Sequence, residues 1–208
     1  MIKAVIFDVD GVLVDSLNAN HKFFTDLMNK FGHRFMKREE FLSFFHLPMK
    51  DIIRHSTKST NEEEIEKIWK SGKDREVPYP NELLNTQNNL EEVIKLLSKD
   101  YTLGIVTSRA ADSVFNMPQL SDLGKYFKVV IGYTDTKNHK PHPEPLILAT
   151  TKLNMAPEEC VYIGDSETDI IAAKAAGMKS ILYSKEKLYG ADDNFEDFDK
   201  LAEVVNNL

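Results

Sequence analysis

Ala4-Val5-Ile6-Phe7-Asp8-Val9-Asp10-Gly11 is the stretch whose reading decides the fold of this chain. Ile2 to Phe7 is a short apolar run rich in β-branched residues, the pattern of a strand buried on both faces. The run stops at two carboxylates on alternate positions, Asp8 and Asp10, and opens into a glycine turn. Like charges that close repel unless a divalent cation or a shared proton intervenes. The stretch therefore reads as a buried strand whose end carries a metal-assisted carboxylate site.

Further runs of the same kind are Thr102 to Val106, Lys128 to Gly132, Cys160 to Gly164 and Ser180 to Tyr183. Helical spacing lies between them, in Leu90, Val93, Ile94 and Leu97, in Leu146, Ile147, Ala149 and Leu153, and in Ile170 to Ala176, which stops at Gly177. Strands alternating with helices imply right-handed βαβ units and a parallel sheet, so the fold class is α/β. Ligands of such sheets bind outside the carboxyl ends of the strands. Asp15 to Asn81 breaks the rhythm and reads as purely helical. Leu17, His21, Phe24, Leu27, Met28 and Phe31 make one apolar face ending at Gly32, and Ile65, Ile68 and Trp69 another after a polar Ser59-Thr60-Asn61 start. The expected organisation is a core of residues 1–14 and 82–208 with an inserted helical cap, 15–81, and a return hinge at Pro78-Tyr79-Pro80. The acidic stretch Asp192 to Asp199 reads as a solvated loop and helix start.

Three more strand ends carry polar groups. Thr107-Ser108-Arg109 offers hydroxyls and backbone N–H groups to a phosphoryl oxygen. Asn138-His139-Lys140-Pro141-His142-Pro143-Glu144-Pro145 is a stiff loop in which Lys140 is a fixed point charge. Gly164-Asp165-Ser166-Glu167-Thr168-Asp169 sets Asp165 and Asp169 four apart, on one face if a helix starts there. Oxygen-only ligands of this kind suit Mg²⁺. Singly each signal is weak: Thr and Ser commonly cap helices, a lone lysine is commonly solvated, and His142 has no partner at metal-ligand spacing. A calcium loop fails, because Val12 and Leu13 occupy positions that need an oxygen ligand and a glycine.

Composition narrows the class. With 208 residues, 42% hydrophobic and 28% charged, the chain has the make-up of a globular protein with a sizeable core. A net charge of -7 argues against nonspecific nucleic-acid binding, so an anionic substrate must be drawn by a local cationic pocket. The single cysteine, Cys160, fits a reducing compartment, and the expected location is the cytoplasm. The amino terminus reads as a first strand instead of a signal peptide, and no apolar stretch approaches the ~18 residues that span a bilayer. Neither a nucleic-acid nor a membrane partner is expected.

In order and content the four signals resemble the haloacid dehalogenase superfamily of phosphohydrolases. The first motif is Asp8-Val9-Asp10-Gly11-Val12-Leu13-Val14-Asp15-Ser16, the second Thr107-Ser108, the third Lys140 and the fourth Gly164 to Asp169. The helical insertion and Lys-Pro-His-Pro-Glu-Pro look most like the phosphoglycolate phosphatase-like and β-phosphoglucomutase-like branch. Departures are Val12 where Thr is more usual, Ser108 where Asn is frequent, and His46-Leu47-Pro48 where a cap loop often carries Gly. The resemblance implies a Rossmann-like core with a helical cap, and a Mg²⁺-dependent phosphatase acting on small phosphomonoesters, with a small phosphorylated metabolite as the partner and the chain a monomer or homodimer. It casts Asp8 as nucleophile and Asp10 as general acid and base. Asp8, the Asp10 carbonyl, Asp165 and Asp169 would hold the metal, and Thr107, Ser108, Arg109 and Lys140 the substrate. Superfamily dehalogenases lack the second acid, so Asp10 argues against dehalogenation. His21, His46, Lys50 and Arg54 are cap candidates for a second anionic group of the substrate. A pyrophosphatase and a sugar phosphomutase are alternatives, although Asn20, not His21, falls at the spacing of the mutase histidine. A phospho-aspartate signalling switch fits less well, because its acceptor follows an earlier acidic pair and it has no cap.

Overall fold

Ala4–Phe7 (β1) has no accessible surface, as its uninterrupted apolar run requires, and lies inside a six-stranded sheet. The structure, a computed structural model, describes residues 1–208 in two compact units, Met1–Asp15 with Thr86–Leu208, and Ser16–Asn85. After β1 comes β2 (Val14–Asp15), then the helices of the second unit: α1 (Leu17–Lys30), α2 (Arg38–Phe41), α3 (Met49–Thr57) and α4 (Glu62–Lys73). A short strand, β3 (Asn85–Thr86), pairs with β2. The first unit continues with α5 (Leu90–Asp100), β4 (Thr102–Val106), β5 (Phe127–Ile131), α6 (Glu144–Leu153), β6 (Cys160–Gly164), α7 (Glu167–Ala175), β7 (Lys179–Tyr183), β8 (Asp193–Phe195) and α8 (Leu201–Asn206).

The sheet order is β5-β4-β1-β6-β7-β8, parallel throughout. Phe7 is in register with Ile105 on β4 and Ile163 on β6, so Asp8, Thr107 and Asp165 all emerge at one edge. One face of the sheet is filled by Ala4, Ile6, Val106, Ile131 and Tyr162, with Leu146 and Ala149 of α6 and Ala172 and Ala173 of α7 packed on them. The second unit has its own core, in which Phe23, Phe24, Phe35 and Phe41 meet Ile52, Ile53, Ile65 and Ile68. Asn61 caps α4 by accepting from the Glu63 and Glu64 amides at 3.0 and 3.4 Å, as the polar start before the helix anticipates. No helix is long and apolar enough to cross a membrane.

One expectation needs correction. Asp192 to Asp199 is more than a solvated loop, for it contains β8, the edge strand of the sheet, with Phe195 buried. Asp192 stays where Ser180 and Lys179 donate to it, at 2.9 to 3.1 Å. The compact units divide after Asp15 and Asn85, with the 3-10 turn Asn81–Leu83 packed against α1.

Candidate active site

Asp8 follows the last residue of β1 and is tied to the neighbouring strand β6. Its amide donates to the Ile163 carbonyl at 2.9 Å, its Oδ1 accepts from the Val9 amide at 2.8 Å, and its Oδ2 lies 3.0 Å from Lys140 Nζ. Burial pushes its pKa up to about 7; Lys140 pulls it back, and Asp169 and Asp10 add to the rise. After Asp8 the chain folds tightly on itself, with the Leu13 amide donating to the Val9 carbonyl at 2.9 Å and Val12 and Leu13 fully buried.

Lys140 arrives from the loop between β5 and α6. Glu144, the first residue of α6, accepts from the Lys137 and Asn138 amides, both at 3.1 Å, and from Asn138 Nδ2 at 2.7 Å, which clasps the loop on either side of the lysine. The His139 ring stacks on Tyr133 with centroids 4.0 Å apart. The Lys140 side chain is 5% exposed, and its ammonium reaches Asp169 Oδ1 at 2.6 Å and the Tyr162 hydroxyl at 2.9 Å. Burial works against the ammonium, but Asp169 and Asp8 outweigh it and hold the pKa well above the usual lysine range.

At the end of β6, Asp165 and Asp169 differ in role. The helix starts at Glu167, not at Asp165, so Asp165 stays in the loop and only Asp169 lies on α7. Asp169 Oδ2 accepts from the Asp165 amide at 3.2 Å, the Ser166 amide at 3.1 Å and the Ser166 hydroxyl at 2.6 Å, closing the first turn of α7 while Oδ1 serves Lys140. Burial first, then Asp169 and Asp8, raise the Asp165 carboxyl well above the usual range. Carboxylate oxygens of Asp8, Asp165 and Asp169 lie within 4.8 Å of one another. Three such acids against a single ammonium leave a surplus of negative charge in a dry place. An all-oxygen set with that surplus fits a hard divalent cation.

Close approach explains the glycines here. Gly11 has φ +80, and a Cβ on it would fall 1.8 Å from Asp165 Oδ2; one on Gly164 would fall 2.2 Å from the Asp169 Cβ.

At the end of β4, Thr107 is buried and its Oγ1 accepts from the Arg109 amide at 3.2 Å. Ser108 is half-buried beside it. The Arg109 guanidinium takes the Asp10 carboxylate in a two-pronged pair, Nε to Oδ2 and a terminal nitrogen to Oδ1, each at 2.6 Å. That fork joins residues 99 positions apart, and nothing local in the sequence signals it.

The structure thus brings Asp8, Lys140, Asp165 and Asp169 into one cluster, joins Asp10 to Arg109, and sets Thr107 and Ser108 at the end of β4. In the second unit His21 Nε2 lies 3.0 Å from the Met36 carbonyl with its ring against Phe35 and Phe41. Lys50 pairs with Glu66 at 2.6 Å and lies over Trp69, Arg54 pairs with Asp51 and Glu62 at 2.9 and 3.0 Å, and His46 is half-buried. One residue escapes the sequence reading. Tyr162, absorbed there into a strand, is fully buried with its hydroxyl on Lys140. The signal was a phenol in an otherwise aliphatic run.

Residues 5–183 match the family model for haloacid dehalogenase-like hydrolases. Among curated relatives, pyrophosphatase PpaX of Bacillus cereus is 33% identical over 184 residues, 88% of this chain and 83% of that protein. Phosphoglycolate phosphatase of Escherichia coli is 38% identical over 113 residues, 54% of this chain and 45% of that protein. The crystal structure of β-phosphoglucomutase from Clostridium difficile superposes with a TM-score of 0.80 at 23% identity, covering 100% of this chain and 96% of that one, a likeness of fold.

Proposed function

We propose a function from one premise: the chain belongs to the haloacid dehalogenase-like hydrolase family. It is a phosphatase that hydrolyses small phosphomonoesters through an aspartyl-phosphate on Asp8, and 2-phosphoglycolate is the leading substrate. The observation that carries the reading is the Lys140 ammonium, buried and shared between Asp8 and Asp169 at 3.0 and 2.6 Å. A fixed cation beside a carboxylate nucleophile is what a phosphoryl dianion needs in order to approach another anion.

An Asp8 oxygen attacks phosphorus, the bond from phosphorus to the leaving oxygen breaks, and Asp10 gives that oxygen its proton. Asp10 then takes a proton from water, whose oxygen attacks the phosphoryl group and releases phosphate and free Asp8. Thr107 and Ser108 offer hydroxyls, and Lys140 its ammonium, to the phosphoryl oxygens. Asp8, Asp165 and the Asp10 carbonyl would hold Mg²⁺, with Asp169 beside them; the ion supplies charge neutralisation between nucleophile and phosphoryl group. The Arg109 fork, which takes a carboxylate edge-on, suits a leaving group bearing a carboxylate or a second phosphate. That substrate group would displace Asp10 from Arg109 and free it for proton transfer. Division into a core of 1–14 and 82–208 and a helical cap of 15–81 belongs to the same proposal.

Pyrophosphate is the second reading, supported by the same fork and by the likeness to PpaX over 88% of this chain. Phosphate release is to be measured from 2-phosphoglycolate, pyrophosphate and hexose 1-phosphates, with Mg²⁺ or chelator, in the unsubstituted protein and in Asp8→Asn. Turnover that needs Mg²⁺, falls at least about a thousandfold in Asp8→Asn, and is fastest on the substrates whose leaving group is itself anionic is the expected result. Silence on every ester sinks the phosphatase reading.

A further inference from the structure

An ammonium has three N–H groups, and the structure gives each one of Lys140 an acceptor: Asp8 Oδ2 at 3.0 Å, Asp169 Oδ1 at 2.6 Å and the Tyr162 hydroxyl at 2.9 Å. Two of these are carboxylates, and one of them, Asp169, is itself fixed by hydrogen bonds from the Asp165 amide and from Ser166. The third is neutral and rigidly placed. The Tyr162 hydroxyl donates its only proton to the Val106 carbonyl at 2.9 Å, so the oxygen turns its lone pairs to Lys140 and approaches Asp169 only at 3.4 Å. Val106 is the last residue of β4, immediately before Thr107, and Tyr162 lies on β6 three residues before Asp165. One hydroxyl therefore ties two strand ends of the site to the lysine of a third element.

Packing does not explain that hydroxyl. Tyr162 is fully buried, with its ring among Ile6, Val106, Leu146, Ala149 and Ala172, and phenylalanine would fill the same space. Burying a phenolic oxygen among apolar side chains is costly unless it is hydrogen-bonded. Its partners here are a backbone carbonyl and the lysine ammonium.

We propose that Tyr162 is a positioning residue for Lys140. Its hydroxyl and Asp169 hold two of the three N–H groups, so that the remaining one points at Asp8 and at the phosphoryl group arriving there. The inference rests on the phosphatase reading for its consequence in turnover, but not for the hydrogen bond itself.

The test is Tyr162→Phe, measured by turnover on the best ester, by thermal unfolding, and by the ¹⁵N resonance of the Lys140 ammonium. Expected are a fall in kcat of about tenfold, KM within about twofold of the unsubstituted protein, and a Lys140 signal that shifts and exchanges faster with water. A lower melting temperature with unchanged kcat would make the tyrosine merely structural and overturn the proposal. Should Tyr162→Phe not fold, 3-fluorotyrosine at position 162 keeps the hydroxyl but weakens it as an acceptor. A smaller fall in kcat then supports the role, and none overturns it. Silence of the unsubstituted protein on every ester counts against the phosphatase reading alone. In that case an unmoved Lys140 signal in Tyr162→Phe overturns the hydrogen bond, and a displaced one upholds it.

Discussion

Asp8 carries its carboxylate where water scarcely reaches, and the protein bears a cost for it. Its folded pKa of about 7 stands above the ordinary aspartate value of 3.8. Between those two pH values the unfolded chain has lost a proton that the folded chain keeps, so stability falls as pH rises through that window and levels off above it. Asparagine cannot titrate. In the presence of chelator, Asp8→Asn should therefore become more stable than the unsubstituted protein as pH rises from about 4 to 7, by roughly 2–4 kcal/mol at the top of the window. Urea unfolding at several pH values reads the gap, and Mg²⁺ should narrow it by binding the folded form. A gap that does not widen with pH would show that burial of this acid is not destabilising.

Elements, not single side chains, bring the charges together. β1, β4 and β6 run in register, so the loops after them meet at one edge, and the fit there is tight enough that Gly11 has no room for a Cβ beside Asp165. Gly11→Ala should push the Asp165 carboxylate aside and strain a left-handed turn, costing about 1–2 kcal/mol of stability and about a hundredfold in kcat, with a higher Mg²⁺ requirement. Turnover titrated with Mg²⁺ checks it, and an alanine variant with unaltered demand for the ion would contradict the crowding argument. The strands that carry this site were legible because each is buried on both faces and hence continuously apolar. The edge strand β8 was not: Asp193 and Asn194 are polar, and at an edge only Phe195 needs to be buried. The sequence does not set the start of α7, because Asp169, not Asp165, closes the first turn, and a carboxylate at either position would look the same in sequence. The Arg109–Asp10 fork and the Tyr162–Lys140 contact join residues far apart in the chain, so only the folded topology reveals them.

Across the whole molecule, charge and packing are divided. The chain is negative overall, at -7, yet its site offers buried or half-buried cations at Lys140 and Arg109. At physiological ionic strength the distant surface acids are screened within about 8 Å, so the local cations decide what enters. Packing is divided too, because no buried side chain of the Phe23–Phe41 and Ile52–Ile68 core belongs to the cluster beneath the sheet. A cavity cut in one core should then loosen that unit without loosening the other. Ile53, fully buried on α3, is the place to cut. Ile53→Ala should lose about 2–5 kcal/mol of local stability and raise amide exchange across α1, α3 and α4, while the amides of β1, β4 and β6 keep their protection. Equal loss of protection in both units would mean that they fold as one cooperative body, and that the insertion after Asp15 is energetically part of the sheet domain.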